Sequence, residues 1–348
     1  MNIKKFIRPN IAKLEPYSTA RDEYKGGDIE IFLDANESPF GAPLNRYPDP
    51  RMTSIRERLS AIKGVEPSQI FIGNGSDEAI DLVYRIFCTP GEDSVAMIAP
   101  SYGMYKVAAA TNDVAVKESL LDSEDFSFSV DKFLEIVDST TKVVFLCSPN
   151  NPSGNLLPRE EVEKVIKQFE GIVVVDEAYV DFCQDYYASF ATQIGEYPNL
   201  IVLQTLSKAW GLAGVRFGLA LASSDIVEVM NRVKYPYNIN VLTQEAVERA
   251  LCDSDTLKAT IAHNNKERKI LEEVVLSLSY VKKLYPSDSN FVLIKVDNAT
   301  DLYNYLMQNG VIIRNRNSVV LCENCVRITV GTTSENRALC DLLSKYGN

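Results

Sequence analysis

Short runs of uninterrupted apolar residues alternate along the chain with stretches in which apolar residues recur every three or four positions. The runs at 94–99, 142–147, 172–176 and 200–204 are dominated by Val, Ile, Leu and Ala and hold few polar residues, the pattern of parallel strands covered on both faces. Between the second and third of these, Val162, Val165, Ile166 and Phe169 fall on one face of a helix over 158–169. Strand, helix and strand in that order predict an α/β fold with a mostly parallel central sheet. From about residue 240 the character changes to a long charged helical stretch, 242–275, followed by strand-like runs at 291–296, 311–314 and 326–330. These predict a smaller α+β domain. Tyr235-Pro236-Tyr237-Asn238 interrupts both periods and is the expected hinge, while Pro9, Pro16 and Gly26-Gly27 mark the start as an irregular arm. The expected organisation is an arm over 1–30, a large domain over 31–239 and a small domain over 240–348.

Length agrees: 348 residues make roughly two domains at about 150 residues each. Composition narrows the function. With 36 Lys and Arg against 47 Asp and Glu, the net charge of −11 lacks the positive field that nucleic acids or anionic membranes require. No run approaches the ~20 apolar residues of a membrane span, and no apolar core follows Lys4, Lys5 and Arg8 to make a secretory signal, so a cytoplasmic location is expected. Seven cysteines, an odd number without framework spacing, suit reduced thiols. Cys322 and Cys325 have CxxC spacing, but with no second such pair and one histidine, His263, they predict a tight turn between strands at 319–321 and 326–330 rather than a metal site.

Polar residues cluster just past the predicted strand ends, where ligands of open α/β sheets collect. Residues 142–147 lead into Ser148-Pro149-Asn150-Asn151-Pro152-Ser153-Gly154, a rigid loop able to hold an amide at the sheet edge. Residues 172–176 end on Asp176 and continue as Glu177-Ala178-Tyr179. The run at 200–204 continues as Thr205-Leu206-Ser207-Lys208, with Gly211, Gly214 and Arg216 following. Upstream, Gly73-Asn74-Gly75-Ser76-Asp77-Glu78 precedes helical Ile80, Val83, Tyr84 and Phe87, which puts Ser76 and Asp77 near a helix N-terminus. Singly, each has a plain structural use as a turn, an N-cap or a solvated lysine. Together they match the demands of pyridoxal 5'-phosphate. That cofactor needs a lysine to form a Schiff base with its aldehyde, a carboxylate against its ring nitrogen and donors for its phenolic oxygen; a helix N-terminus with hydroxyls and an arginine must take its phosphate. Lys208, Asp176, and the pair Asn151 and Tyr179 meet the first three needs. Gly75, Ser76, Asp77, Ser207 and Arg216 meet the last. Tyr102, in Pro100-Ser101-Tyr102-Gly103-Met104-Tyr105, suits stacking on the ring face or a place in the core.

In that combination the chain resembles the fold-type I pyridoxal-phosphate-dependent aminotransferases, in order and over nearly its whole length. Ser-Pro-Asn-Asn-Pro-Ser-Gly at 148–154, Asp176-Glu177-Ala178-Tyr179 and Ser207-Lys208 through Arg216 bear the resemblance. Four further motifs make it similar to the histidinol-phosphate branch: Leu33-Asp34-Ala35-Asn36-Glu37-Ser38-Pro39, Arg46-Tyr47-Pro48-Asp49-Pro50, Leu206 through Gly214, and Arg327-Ile328-Thr329-Val330-Gly331-Thr332. The resemblance implies an enzyme of histidine biosynthesis that exchanges an amino group between L-histidinol phosphate and 2-oxoglutarate. It implies that Lys208 holds the cofactor and moves the proton, with Asp176 and Tyr179 as further catalytic groups and Thr205 in the cofactor-binding set. Arg327 would pair with the substrate α-carboxylate, while Asn36, Tyr17 and Arg314 would also contact substrate, Tyr17 and Arg314 at its phosphate. Tyr47 would reach the cofactor phosphate of a neighbouring subunit, which implies a homodimer. Ser38 and Ser153 stand where the family more often shows Asn and Thr, and Phe40 precedes Gly41; no group the chemistry needs is missing.

Aromatic amino-acid aminotransferases and threonine-phosphate decarboxylases share the Asn, Asp, Tyr, Lys and Arg set and are the alternatives; Arg46 through Pro50 and the Tyr17 arm favour histidinol phosphate. A DNA-binding regulator built on this fold would need a helix-turn-helix module and a basic surface, and neither pattern is present. A binding protein without chemistry is separated from an enzyme by mapping the lysine that borohydride labels. Asp181, Asp185 and Tyr186-Tyr187, after the Asp176 motif, take no assignment.

Overall fold

The computed structural model describes residues 3–17, 31–183 and 189–346. Residues 18–30 of the expected arm, and Asp185, Tyr186 and Tyr187, lie outside the described residues. Among the described residues, eleven strands form two sheets. The larger comprises β1 (Ile70–Asn74), β2 (Ser94–Ala99), β3 (Ala115–Leu120), β4 (Thr141–Cys147), β5 (Ile172–Asp176), β6 (Leu200–Thr205) and β7 (Phe217–Ala222), in the order β1-β7-β6-β5-β4-β2-β3. Strands β3, β2, β4, β5 and β6 pair in parallel. Strand β7 is antiparallel to both its neighbours.

Alternation along the central strands builds two cores at once. Val144, Leu146, Val173 and Val175 point into one cluster, and Val143, Phe145, Ile172 and Val174 into the other. Burying each such side chain contributes about 1.5–3 kcal/mol, so these runs are stable only with both faces covered. The helix Arg159–Gln168 supplies part of one cover through Val162, Val165 and Ile166, as their spacing predicts.

The second sheet is antiparallel: β8 (Val281–Tyr285), β9 (Phe291–Val296), β10 (Arg314–Asn315) and β11 (Cys325–Thr329), in the order β10-β11-β9-β8. Val292, Ile294, Val326 and Ile328 pack with Leu271, Leu302, Leu306 and Leu339 on one face. The other face sends Leu293 and Cys325 into the core of the large sheet, and Arg327, between Cys325 and Thr329 on that same face, points with them.

Three details differ from expectation. The charged stretch 242–275 is two helices, Val241–Leu251 and Ser254–Leu276, because the Asp253 carboxylate accepts the Thr256 amide at 3.0 Å and starts a new N-terminus. The run at 319–321 is loop, and its neighbour at 311–314 shrinks to β10. Leu321 (φ 61°) and Asn324 (φ 57°) adopt left-handed backbone there, and the Asn317 side chain accepts the Asn324 amide. The Cys322–Cys325 turn itself closes through the Cys325 amide on the Cys322 carbonyl at 2.9 Å. The first residues are also less irregular than expected: a turn at Ile3–Phe6 buries Ile3, and Arg8 N donates to Ile86 O at 2.9 Å. All seven cysteines are free, and among the described residues no helix is long and apolar enough to cross a membrane.

Candidate active site

The carboxyl ends of β4, β5 and β6 lie side by side, and antiparallel β7 brings its amino end to the same edge, pairing Thr205 with Gly218 and Asn74 with Phe217. A cavity of about 200 Å³ opens there. Its walls are Ser76, Asp77, Tyr102, Cys147, Asn151, Asp176, Ala178, Tyr179, Thr205, Ser207, Lys208, Arg216 and Arg327.

Asp176, the last residue of β5, is 3% exposed. Its Oδ2 accepts the Tyr105 hydroxyl at 2.6 Å and its Oδ1 the Ala178 amide at 3.0 Å. Burial pushes its pKa up, and these donors, with Lys208 nearby, pull it back. Lys208 follows β6 and sets its Nζ 5.3 Å from the centre of the Tyr179 ring. Burial, then the charge of Arg327, lowers its pKa. Among the described residues its Nζ has no hydrogen-bonded or ion-paired partner.

At the opposite end, the helix Ser76–Phe87 points its N-terminus at the cavity. Two glycines make this cradle. Gly75 holds φ +71°, and a Cβ on it would stand 2.6 Å from Arg216 Nη2. A Cβ on Gly218 would stand 2.0 Å from the Ser76 amide nitrogen. Arg216, itself in left-handed backbone (φ 55°), pairs with Asp77 Oδ2 at 3.1 Å. The Tyr102 hydroxyl donates to Asp77 Oδ1 at 3.1 Å, and the Thr205 and Ser207 hydroxyls are 3.0 Å apart.

Asn151 joins the two sheets. Its Nδ2 donates to the Tyr179 hydroxyl at 3.4 Å, and its Oδ1 accepts Arg327 Nη1. The Arg327 guanidinium lies 5.0 Å over the Phe291 ring, and its Nε is buried without a partner.

Of the residues singled out in the sequence, Gly75 shapes the cradle, and Ser76, Asp77, Tyr102, Asn151, Asp176, Tyr179, Thr205, Ser207, Lys208, Arg216 and Arg327 line the cavity. Arg314 does not; it pairs across β10 and β11 with Arg327 and lines an adjoining groove of about 620 Å³. Tyr17 (75% exposed), Asn36 and Tyr47 also stand apart from it. Tyr47 stacks on Tyr237 at 4.5 Å, held by Glu37, which accepts the Tyr47 amide and pairs with Arg46, both at 2.7 Å. Sequence reasoning passes over Tyr105, Glu177 and Arg316. The one signal for Tyr105 is its place three residues after Tyr102 in an aromatic-rich turn.

The donor set fits pyridoxal phosphate on its chemistry: a buried carboxylate, a lysine with a lowered pKa and no partner, and a glycine-cradled helix N-terminus with hydroxyls and an arginine. Comparisons with known proteins agree. The family model for aminotransferase class I and II matches residues 23–343. The chain is 52% identical over 344 residues to a histidinol-phosphate aminotransferase of Bacteroides thetaiotaomicron, covering 99% of both. The crystal structure of the histidinol-phosphate aminotransferase from Clostridium acetobutylicum is similar at a TM-score of 0.80 and 26% identity, over 86% of this chain and 90% of that one. The Sinorhizobium meliloti histidinol-phosphate aminotransferase, in complex with pyridoxal-5'-phosphate, shares the fold at a TM-score of 0.78 and 24% identity, over 89% and 90% of the two chains. The chain therefore belongs to the class I and II aminotransferases, which are pyridoxal-phosphate enzymes, and within them to the histidinol-phosphate aminotransferase family.

Proposed function

We propose that the protein transfers the amino group of L-histidinol phosphate to 2-oxoglutarate, giving imidazole-acetol phosphate and L-glutamate. The observation that bears most weight is the joint presence of buried Asp176 and unpartnered Lys208 in one cavity that Arg216 and Arg327 also line. The name of the relative, shared at 52% identity along the whole chain, supports the substrate.

Pyridoxal phosphate, when bound, supplies an electron sink for the charge left when the substrate loses its α-hydrogen. The protein's part is positioning and proton transfer. Asp176 holds a carboxylate toward the ring nitrogen, and Tyr105 and Ala178 fix both its oxygens. Ser76, Ser207, Thr205, Gly75 and Arg216 hold the cofactor phosphate, with Asp77 orienting Arg216 and Tyr102. Asn151 and Tyr179 hold the phenolic oxygen. Lys208 Nζ would take the proton from the α-carbon of the amino donor in one half-reaction and give one to the α-carbon derived from the 2-oxo acid in the other; burial and Arg327 favour its neutral amine, the form able to accept a proton. Arg327, aimed by Asn151, takes the α-carboxylate of 2-oxoglutarate and of the glutamate formed from it as a planar fork. Asn36, Tyr17 and Arg314, which stand outside the cavity in the single chain, are assigned the remaining substrate contacts.

The two sheets are read as two domains, 31–239 and 240–348, after an arm over 1–30. A homodimer is part of the proposal, with Tyr47 completing the partner's site. Ile31, Leu33 and Phe40, between 75% and 90% exposed near Tyr47, give an apolar surface for a second copy. Seven free cysteines support a cytoplasmic location.

Purified holoenzyme given L-histidinol phosphate and 2-oxoglutarate is expected to form glutamate and the keto product one for one. No product from that pair, alongside turnover of phenylalanine or carbon dioxide release from phosphothreonine, would move the protein to one of the rival families.

A further inference from the structure

Tyr102 and Asn151 stand in the cavity wall on two separate loops, one following β2 and the other β4, strands that pair in parallel. Past the strand ends one buried side chain joins the loops. Asn150 is fully buried and is not among the residues lining the cavity. Its Nδ2 donates to Pro100 O at 3.0 Å and to the Ser153 hydroxyl at 2.7 Å, while its Oδ1 accepts the Ser101 hydroxyl at 3.1 Å. Both amide hydrogens are thereby used. Its main chain also closes the β4 loop on itself: the amide donates to Asn155 O at 2.9 Å, and the carbonyl accepts the Gly154 amide at 2.7 Å.

This support matters most for Asn151. A hydrogen bond needs its donor within about 3.2 Å of the acceptor and well aligned, so an ångström of drift in the loop forfeits most of it. The contacts of the Asn151 amide, with the Tyr179 hydroxyl at 3.4 Å and with Arg327, are made at the tip of its side chain; the place of its backbone is left to the loop. On the other loop, Pro100 and Ser101 immediately precede Tyr102. A side chain that is buried, fully hydrogen-bonded and tied to both loops is a scaffold for the groups that do face the cavity.

Resting on the cofactor contacts proposed above, we propose that Asn150 is a positioning residue for the cofactor: it locks the Asn151 donor against the phenolic oxygen and holds the Tyr102 ring in register with it. A donor at that oxygen favours its anionic form, so the proton at that end of the bound cofactor leaves at lower pH. Loss of alignment lets the cofactor keep the proton to higher pH. A loosened loop therefore raises the pH midpoint of the cofactor's visible absorbance change.

The test follows that absorbance against pH in holoenzyme without substrate, for the parent, Asn150→Ala, Asn151→Ala and the double variant. Asn151→Ala, which removes the donor itself, is expected to raise the midpoint by about one to two pH units, the loss of a hydrogen bond to a charged group. Asn150→Ala is expected to raise it by about half a unit or more, and to weaken cofactor binding about tenfold in titration of the apoprotein. The double variant should match Asn151→Ala, because Asn150 acts through Asn151. A purely structural role lowers the melting temperature and leaves the midpoint of the folded holoenzyme where it was. A parental midpoint in Asn150→Ala, with a raised one in Asn151→Ala, overturns the proposal alone. A parental midpoint in both refutes the contact proposed for Asn151 and this proposal with it. If Asn150→Ala does not fold, Ser101→Ala combined with Ser153→Ala, which strips two of the three partners, must raise the midpoint; a parental value there overturns the proposal. No substrate enters the measurement, so failure to turn over L-histidinol phosphate refutes the proposed function and not the role of Asn150.

Discussion

At Asp176 two opposing effects meet. Burial favours the protonated acid, and the Tyr105 hydroxyl and Ala178 amide favour the carboxylate. Tyr105 reaches it across 71 residues of sequence while stacked on Phe145 at 4.8 Å, so Tyr105→Phe removes the donor and keeps the packing. A lost hydrogen bond to a charged group is worth about 1.5–3 kcal/mol, and the variant should bind pyridoxal phosphate at least about tenfold more weakly with little change in melting temperature. Cofactor titration of the apoprotein measures this; unchanged affinity would leave Tyr105 as core packing. Lys208→Ala should lower kcat by about 10²–10⁴-fold or more, and borohydride should label position 208 in the parent and nothing in the variant. Glu177, one residue on, is fully buried and accepts the Ser189 hydroxyl, the Phe190 amide and the Gln204 side chain. Burial pushes its pKa from 4.5 up to about 7. Between those two values the folded chain keeps a proton that the unfolded chain has released, so stability falls as pH rises through that window and levels off above about 7. Glu177→Gln should therefore gain on the parent by something on the order of 3 kcal/mol between pH 4.5 and 7, read from paired melting curves. A difference independent of pH would mean that the buried acid does not titrate there.

Among the elements, the turn from β1 into the helix Ser76–Phe87 and its contact with β7 set the geometry of the phosphate end. Gly218→Ala would place a methyl 2.0 Å from the Ser76 nitrogen and 2.2 Å from the Gly75 carbonyl carbon, and backbone is hard to displace. The expected result is a drop in melting temperature together with loss of bound cofactor, measured on the same preparation. Full cofactor content in the variant would show that the turn moves without harm. The strands most legible in the sequence, β4, β5 and β6, are those whose residues are apolar on both faces. β3 is not legible because, as an edge strand with mixed burial, it reads like a polar loop. β7 is not legible because a short apolar run after a loop has no periodicity to separate strand from helix.

For the whole molecule, a net charge of −11 leaves the attraction of anions to local groups, chiefly Arg216 and Arg327 in the cavity wall and Arg314 in the groove beside it. If Tyr47 serves the partner's site, Tyr47→Ala and Lys208→Ala proteins, each weakly active, should complement when mixed and re-associated. Half of randomly re-formed dimers are mixed and each has one complete site, so about a quarter of parental activity should return. No recovery, in mixtures shown to have exchanged subunits, would return Tyr47 to the surface of its own chain.

The sequence by itself determined the strand–helix alternation and the residues that follow each strand, because periodicity and turn chemistry are local properties of the chain. Thus Asn151, Asp176, Lys208 and Arg216 stand out as a set in the sequence itself. Only the tertiary structure decided which distant groups touch: Tyr105 on Asp176, Arg327 on Asn151, and Gly218 against Ser76. Those contacts arise from how antiparallel β7 and the second sheet fold back onto the edge of the first. A tyrosine or an arginine in sequence looks the same whether it ends in water, in a core or against a buried carboxylate.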